Sequence, residues 1–420
     1  MRTWLVLAAG ILALGSTGSL SGQKAIRITG PGKGRAAIHF ETSQNLMLVP
    51  ASINGSRPMM FVLDTGINTT IVTELTESDT VSLNKARYLT VSGLGDGPAV
   101  GAWASSGNQI SLGLPDSPGG GLQGDSLEVY ILEENLFELS KQLGIKTNGL
   151  IGSDFFFQYV VGVDPTDKMV TFWERDRFNF RKILRGYTAL PVRVSNQKAY
   201  LDVVIAQEDD SQITVTLLID TGASLGLWIA PSADSRIRIP SKTIETLLGY
   251  GLSGEIQGVN GRVRSLQIGP HKFRQPIISF PDSSGIPIAN LTTGRHGSLG
   301  NDILRRFRIY YDFGGQMIYV RPNKFYSDPF SYNRSGMEVE KPFIGYPVYQ
   351  VYSIIPDSPA DQAGVRPGDL IEYINHLPVL NMKLDEINNI LHGESGRIIH
   401  LRISREGDQH DIRFKLKERI

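Results

Sequence analysis

Two aspartates stand in matched settings, at positions 64 and 220. Phe61-Val62-Leu63-Asp64-Thr65-Gly66 recurs as Leu217-Leu218-Ile219-Asp220-Thr221-Gly222, each time an apolar, strand-favouring run that delivers a carboxyl group into a turn. The glycines, Gly66 and Gly222, are expected to take φ values that a side chain would forbid. Two carboxyl groups a few ångströms apart cannot both ionise, so they share a proton and titrate as a unit. Such a pair can take a proton from water and give one to a carbonyl oxygen or a departing nitrogen. Hydrolysis on that plan implies no metal and no cofactor.

The elements that must bring the two turns together are legible as an internal repeat. Leu150-Ile151-Gly152-Ser153-Asp154 matches Ser298-Leu299-Gly300-Asn301-Asp302 without a gap. At the same offset Asp164 falls on Asp312, Met169 on Met317 and Phe172 on Val320. Each copy runs from an Asp-Thr-Gly turn, through a glycine-bearing hairpin, to an apolar-apolar-Gly turn and a closing strand. Short apolar runs broken by Gly, Asn, Asp and Pro make the texture mostly β. Two short helices are predicted, at Asn135 to Leu143 and at Lys242 to Leu248.

These residues carry a resemblance to two-lobed aspartic proteases. The chain is similar to pepsin in holding both lobes and to retroviral proteases in the spareness of each, over about residues 35 to 325. The resemblance implies two pepsin- or retropepsin-like β-barrel lobes with Asp64 and Asp220 as the catalytic dyad. It also implies that the Thr65 and Thr221 hydroxyls bond across to the opposite loop. The family places a serine or threonine just after each Asp-Thr-Gly, to bond the carboxylate. Ser224 meets that in the second lobe, whereas the first has Asn68, whose amide can also donate. The hairpins resemble the family's flaps, with Gly93, Gly95, Gly251 and Gly254 as flap glycines and Trp103 as the flap aromatic. A flap brings backbone groups down on an extended peptide, so the implied partner is a peptide or an unfolded protein.

Beyond Val320 the character changes. Phe325 to Ser335 reads as a linker, and then Val348 to Ile355 alternates like a strand. Ser358-Pro359-Ala360, Ala363-Gly364 and Gly368-Asp369-Leu370-Ile371 resemble a bacterial PDZ domain over about 337 to 420. Leu384, Ile387, Ile390 and Leu391 supply the apolar face of its second helix. The resemblance implies a site for a peptide carboxy terminus, with Phe343-Ile344-Gly345-Tyr346 standing where a Gly-Leu-Gly-Phe loop is usual. The domains are then 23–180 and 181–325 for the lobes, 326–336 for a linker and 337–420 for the PDZ unit.

Composition narrows the classes. Lys plus Arg and Asp plus Glu number 42 each, which gives no reason to expect nucleic acid, and the absence of cysteine excludes disulfides, thiolate metal sites and cysteine nucleophiles. The seven histidines show no metal-ligand spacing. Arg2 followed by the apolar run Trp4 to Leu14 and small residues to Gly22 reads as a signal peptide over 1–22. The mature chain is thus expected to be exported, to a bacterial periplasm or medium, with no integral membrane span. Gly222-Ala223-Ser224-Leu225-Gly226 also fits a nucleophile elbow, but no helix pattern follows it and no histidine partner can be placed. Two functions remain: an exported aspartic endopeptidase, and a non-catalytic peptide-binding protein that uses the cleft and the PDZ domain as receptors.

Overall fold

The computed structural model describes residues 25–32, 34–93, 97–282 and 294–420. The signal segment 1–22 and Gly95 lie outside them. Among the described residues the chain is mostly β: a nine-stranded sheet in the first lobe, a ten-stranded sheet in the second, a six-stranded sheet between them and a further six-stranded sheet at the C-terminal end.

The two lobes repeat one plan. Phe61–Leu63 pairs in parallel with Gly149–Ile151, which pairs antiparallel with Thr70–Val72. In the second lobe the end of Gln212–Ile219 pairs in parallel with Gly297–Leu299, which pairs antiparallel with Leu227–Ile229. Each aspartate N–H is tied to the partner strand: Asp64 N to Ile151 O at 2.9 Å and Asp220 N to Leu299 O at 3.0 Å. The apolar-apolar-Gly turns therefore hold the aspartate strands from the side. Their glycines serve close approach, since a β-carbon at Gly152 would stand 2.6 Å from Thr69 N and one at Gly300 would overlap Leu225 O.

The sheet between the lobes carries strands from both, in the order Thr188–Pro191, Met317–Pro322, Phe307–Asp312, Tyr159–Asp164, Met169–Glu174, Arg35–His39. Asp164 faces Met169 in one lobe and Asp312 faces Met317 in the other, so the positions that the repeat equates occupy equivalent places in the sheet. Arg308 to Asp164 (3.2 Å) and Arg175 to Asp312 (3.0 Å) are ion pairs that each cross from one lobe to the other. The apolar core is correspondingly continuous, with Phe61, Phe156, Leu217, Ile303 and Tyr311 in one buried cluster.

Two predicted helices differ. Lys242 to Leu248 belongs to a strand, Thr243–Gly251, paired with Gly254–Arg262. Ile244 and Leu248, both buried, are four apart, a spacing that suits one helix face and equally one face of a strand; the β-branched Thr243, Ile244 and Thr246 settle it. Of Asn135 to Leu143 only Leu139–Leu143 is helical, because Glu138 takes φ 41°, which no α-helix interior admits, and Gly144 closes the last turn at φ 67°.

The C-terminal sheet runs in the order Met337–Glu340, Tyr349–Ile354, Leu370–Ile374, Ile398–Arg405, Asp408–Lys415, and packs on the helix Leu384–Leu391 through Leu384, Ile387 and Leu391. The short helix Pro359–Gln362 is capped by Ser358, whose hydroxyl accepts from Asp361 N. The stretch read as a linker is irregular but partly buried: Tyr332, Asn333 and Ser335 lie inside, and Arg262 of the second lobe donates to Phe330 O at 3.0 Å. The C-terminal unit also meets the first lobe, where Lys341 N donates to Lys141 O (3.0 Å) and Gln44 N to Asp385 Oδ1 (3.0 Å). Among the described residues no helix is long and apolar enough to cross a membrane.

Candidate active site

Asp64 and Asp220 end their strands against each other, both without exposed surface. A β-carbon built at Gly66 would lie 2.8 Å from Asp220 Oδ1 and 3.0 Å from Asp64 Oδ1, so one atom's width touches both carboxyl groups. One built at Gly222 would overlap Asp64 Cγ. Neither glycine has a positive φ. The expectation of a forbidden backbone angle is thus corrected: these residues are glycine because the opposite carboxyl group occupies the space of a side chain.

Threonines lock the turns together. Thr65 Oγ1 donates to Ile219 O and Thr221 Oγ1 to Leu63 O, both at 2.7 Å, while Thr221 N donates to Thr65 Oγ1 (3.1 Å) and Thr65 N to Thr221 Oγ1 (3.0 Å). Each hydroxyl thus gives one bond and receives one across the lobe boundary. Gly66 N donates to Asp64 Oδ1 at 2.6 Å and Gly222 N to Asp220 Oδ1 at 3.2 Å. Burial, then the charge of Asp220, raises Asp64 well above the usual carboxyl range. Burial raises Asp220 as well, against the pull of Arg295, Ser298 and Lys198.

Two tight hairpin turns reach from each lobe into the other. Gln44 and Asn45 (φ 46° and 66°) form one, and Asn196 and Gln197 (φ 50° and 54°) its counterpart. Asn45 Nδ2 donates to Ser224 O at 3.0 Å; Asn68 Nδ2 donates to Asn196 O at 3.1 Å, and Ser153 Oγ to Gln197 O at 3.1 Å. Asn68 therefore spends its amide on the neighbouring lobe rather than on a carboxylate. Ser224 is buried in an irregular turn before the strand Leu227–Ile229, without the helix that a nucleophile elbow requires.

The second turn brings in Lys198, a partly buried amine pushed down to about 8, chiefly by burial and then by Arg295, against the attraction of the two aspartates. Lys198 and Arg295 were not among the residues singled out from sequence, for lysine and arginine carry no motif there. The only signal was the repeat itself, which sets Ser298 where Leu150 stands.

The two long hairpins meet each other across the lobe boundary. Leu252, at the tip of the second, is fully buried in the first lobe beside Ile67, Val91 and Val100. Ser253 O accepts from Gly97 N at 2.5 Å and Ser253 Oγ from Gly93 N at 3.1 Å. A β-carbon at Gly97 would sit 2.5 Å from Ser253 O, and Gly254 takes φ 99° after the Gly251-Leu252-Ser253 turn, so these glycines are required by contact and by backbone angle respectively. Trp103 does not serve as the aromatic over the cleft: it is 44 % exposed on the outer face, edge-on to Tyr88.

Phe343, Ile344, Gly345 and Tyr346 do not lead into a strand edge as a carboxylate loop would. They form the exposed tip of the hairpin that joins Met337–Glu340 to Tyr349–Ile354, and Tyr346 N is spent on Phe343 O. The turn that leads into the edge strand Met337–Glu340 is Asn333 to Gly336. There Ser335 N and Gly336 N both donate to Asn333 Oδ1 at 3.1 Å. A cavity of about 420 Å³ lies between the interlobe sheet and the helix Leu384–Leu391, lined by Met47, Leu304, Tyr311, Asp385 and Asn388 among others; neither Asp-Thr-Gly turn reaches it. Among the described residues no group of three His, Asp or Glu side chains could hold a metal ion.

Family models agree with this architecture. Residues 49–155 and 203–303 match the aspartyl protease family model, and residues 350–405 match that of the PDZ domain. Two curated relatives, both described as a probable CtpA-like serine protease and from two strains of Staphylococcus epidermidis, are 35% identical over 65 residues. That is 16% of this chain, which spans only 13% of the relatives' length. Among solved structures, an aspartic proteinase from Irpex lacteus is 11% identical with a TM-score of 0.42, covering 70% of this chain and 99% of that one. Conglutin gamma, a basic 7S globulin from lupine seeds, is 10% identical with a TM-score of 0.41, over 70% and 96%.

Proposed function

Starting from a chain that carries aspartyl protease sequence in both lobes and a PDZ domain behind them, we propose that it is an exported aspartic endopeptidase. Its units are the lobes 23–180 and 181–325 and the PDZ domain 337–420, and the leading segment 1–22 directs export. The observation that carries the reading is the pair itself. Two buried carboxyl groups flank one atom's width, and hydroxyls exchanged between the lobes hold them there. The two carboxyl groups cannot both be ionised side by side, so the pair holds one proton over its working range. The ionised member takes a proton from water as it attacks the peptide carbonyl, and the protonated member donates to the carbonyl oxygen. Below the first ionisation no base is present and above the second no acid, so the rate is bell-shaped in pH.

The test is cleavage of a reduced, carboxymethylated polypeptide, which stays unfolded at every pH. Wild type cleaves it at mildly acidic pH, and Asp64→Asn and Asp220→Asn each lose about 1,000-fold. Full cleavage by either variant, together with its loss in Ser224→Ala, would overturn the reading. Tight binding without cleavage by wild type would instead establish a peptide receptor.

A further inference from the structure

We infer that Arg295, acting through Ser298, holds Asp220 as the ionised member of the pair and leaves the shared proton on Asp64. This rests on the aspartic reading above and deepens it. Arg295 is buried in the second lobe, its guanidinium 4.9 Å from the centre of the Trp228 ring. Its Nε donates to Gly297 O at 2.9 Å and its Nη2 to Ser298 Oγ at 2.6 Å; Ser298 Oγ lies 3.0 Å from Asp220 Oδ2.

This chain of bonds has a direction. Arg295 can only donate, so the serine oxygen accepts from Nη2, and the serine hydroxyl in turn donates to Asp220 Oδ2. Gly222 N already donates to Asp220 Oδ1. Both oxygens of Asp220 are therefore acceptors, the arrangement that suits a carboxylate. Asp64 differs: Oδ1 accepts from Gly66 N, while the buried Oδ2 has no hydrogen-bond partner and is free to carry a proton.

Charge agrees with geometry. Asp220 faces Arg295 and Lys198, both of which favour its ionised form, with Asp64 opposite and Tyr200 beside Arg295. Asp64 is raised by burial and by Asp220, and lowered only by the Gly66 and Gly222 N–H groups and by Lys198. Among the described residues the first lobe has no equivalent relay. By the offset of the repeat, Ser298 corresponds to Leu150, which is buried among apolar side chains, and Arg295 to Thr147, whose hydroxyl donates to Ile145 O.

Arg295 is thus a positioning residue, and the readout is the acidic limb of kcat/KM against pH on the same unfolded polypeptide. Removing a donor to the carboxylate raises the first ionisation of the pair, so Ser298→Ala moves that limb up by about one pH unit. Arg295→Met moves it at least as far. Ser298→Thr keeps the hydroxyl and restores the wild-type limb, and Arg295→Lys keeps the charge and restores part of it. A rate reduced equally at every pH, with the limb unmoved, would overturn the relay while leaving the dyad intact. Retained cleavage in Asp64→Asn or Asp220→Asn would remove the dyad itself. A second measurement needs no activity. Asparagine replaces a protonated Asp64 but confronts the Gly222 and Ser298 donors at Asp220, so at pH 7 Asp220→Asn lowers Tm and Asp64→Asn does not. The reverse order would overturn the assignment.

Discussion

The two lobes share strand order, register and the Asp-Thr-Gly turn, yet they surround their aspartates differently. Around Asp64 the first lobe offers Leu46, Thr147 and Leu150; at the matching positions the second offers Lys198, Arg295 and Ser298. Backbone symmetry is what brings the carboxyl groups face to face, and it survives in the matched bonds of Asp64 N to Ile151 O and Asp220 N to Leu299 O. Side-chain asymmetry is what distinguishes them, since a symmetric pair would have no reason to place its proton on one side. Repeated architecture here supplies position, and departure from the repeat supplies chemistry.

The largest effect expected concerns what the lobes share. Gly222→Ala puts a methyl carbon onto Asp64 Cγ and should abolish cleavage, while Gly66→Ala, which meets Asp220 Oδ1 at 2.8 Å, should cost about 100-fold by parting the carboxyl groups. Both variants should remain folded by circular dichroism; equal activity to wild type in Gly222→Ala would break the claim that the turns are matched by contact. Next comes the contact between the long hairpins, where the second buries Leu252 in the other lobe. Leu252→Ala should raise amide hydrogen exchange at Gly93 and Gly97 about tenfold or more, the effect of losing part of the roughly 2–5 kcal/mol that such a truncation costs. Unchanged exchange would mean that Leu252 does not hold the tips.

The smallest effect tests Lys198 by giving the second lobe the leucine of the first. The amine is pushed down to about 8, so its charged form is disfavoured in the fold relative to the unfolded chain. That cost is absent above the unfolded value near 10.4, grows as pH falls, and is complete below about 8. Lys198→Leu should therefore raise Tm below pH 8 and lose the gain by about pH 10.5, in thermal unfolding followed across that range. A gain confined to alkaline pH would contradict the sign.

Much of this arrangement was legible in the chain itself. The paired Asp-Thr-Gly strings and the ungapped repeat foretold two lobes and equated Asp164 with Asp312 and Met169 with Met317, positions that occupy the same places in the two strand pairs, and the resemblance they carry implied the threonine exchange. Serine, proline and glycine at 358, 359 and 364 foretold the capped helix of the PDZ unit. What stayed hidden depended on distance rather than type. Arg295 lies 75 positions from Asp220, and nothing local marks a buried guanidinium as the second link of a relay. The need for glycine at 66 and 222 looked like a backbone angle and proved to be a neighbour, visible only once the opposite lobe is in place. Phe343 to Tyr346 resembled a binding loop by composition, but the register of Met337–Glu340 against Tyr349–Ile354 puts it at a hairpin tip.

The burial of both carboxyl groups, and the contact of Ser253 with Gly93 and Gly97, carry a consequence for the proposed endopeptidase. A chain would be engaged only by the fraction of molecules in which the carboxyl groups have become accessible, so measured affinity would be the intrinsic affinity scaled by that fraction. A substrate would enter as an extended strand. Compact proteins would be spared by their own folding, and the choice of target would follow from how readily a segment unravels as much as from its residues.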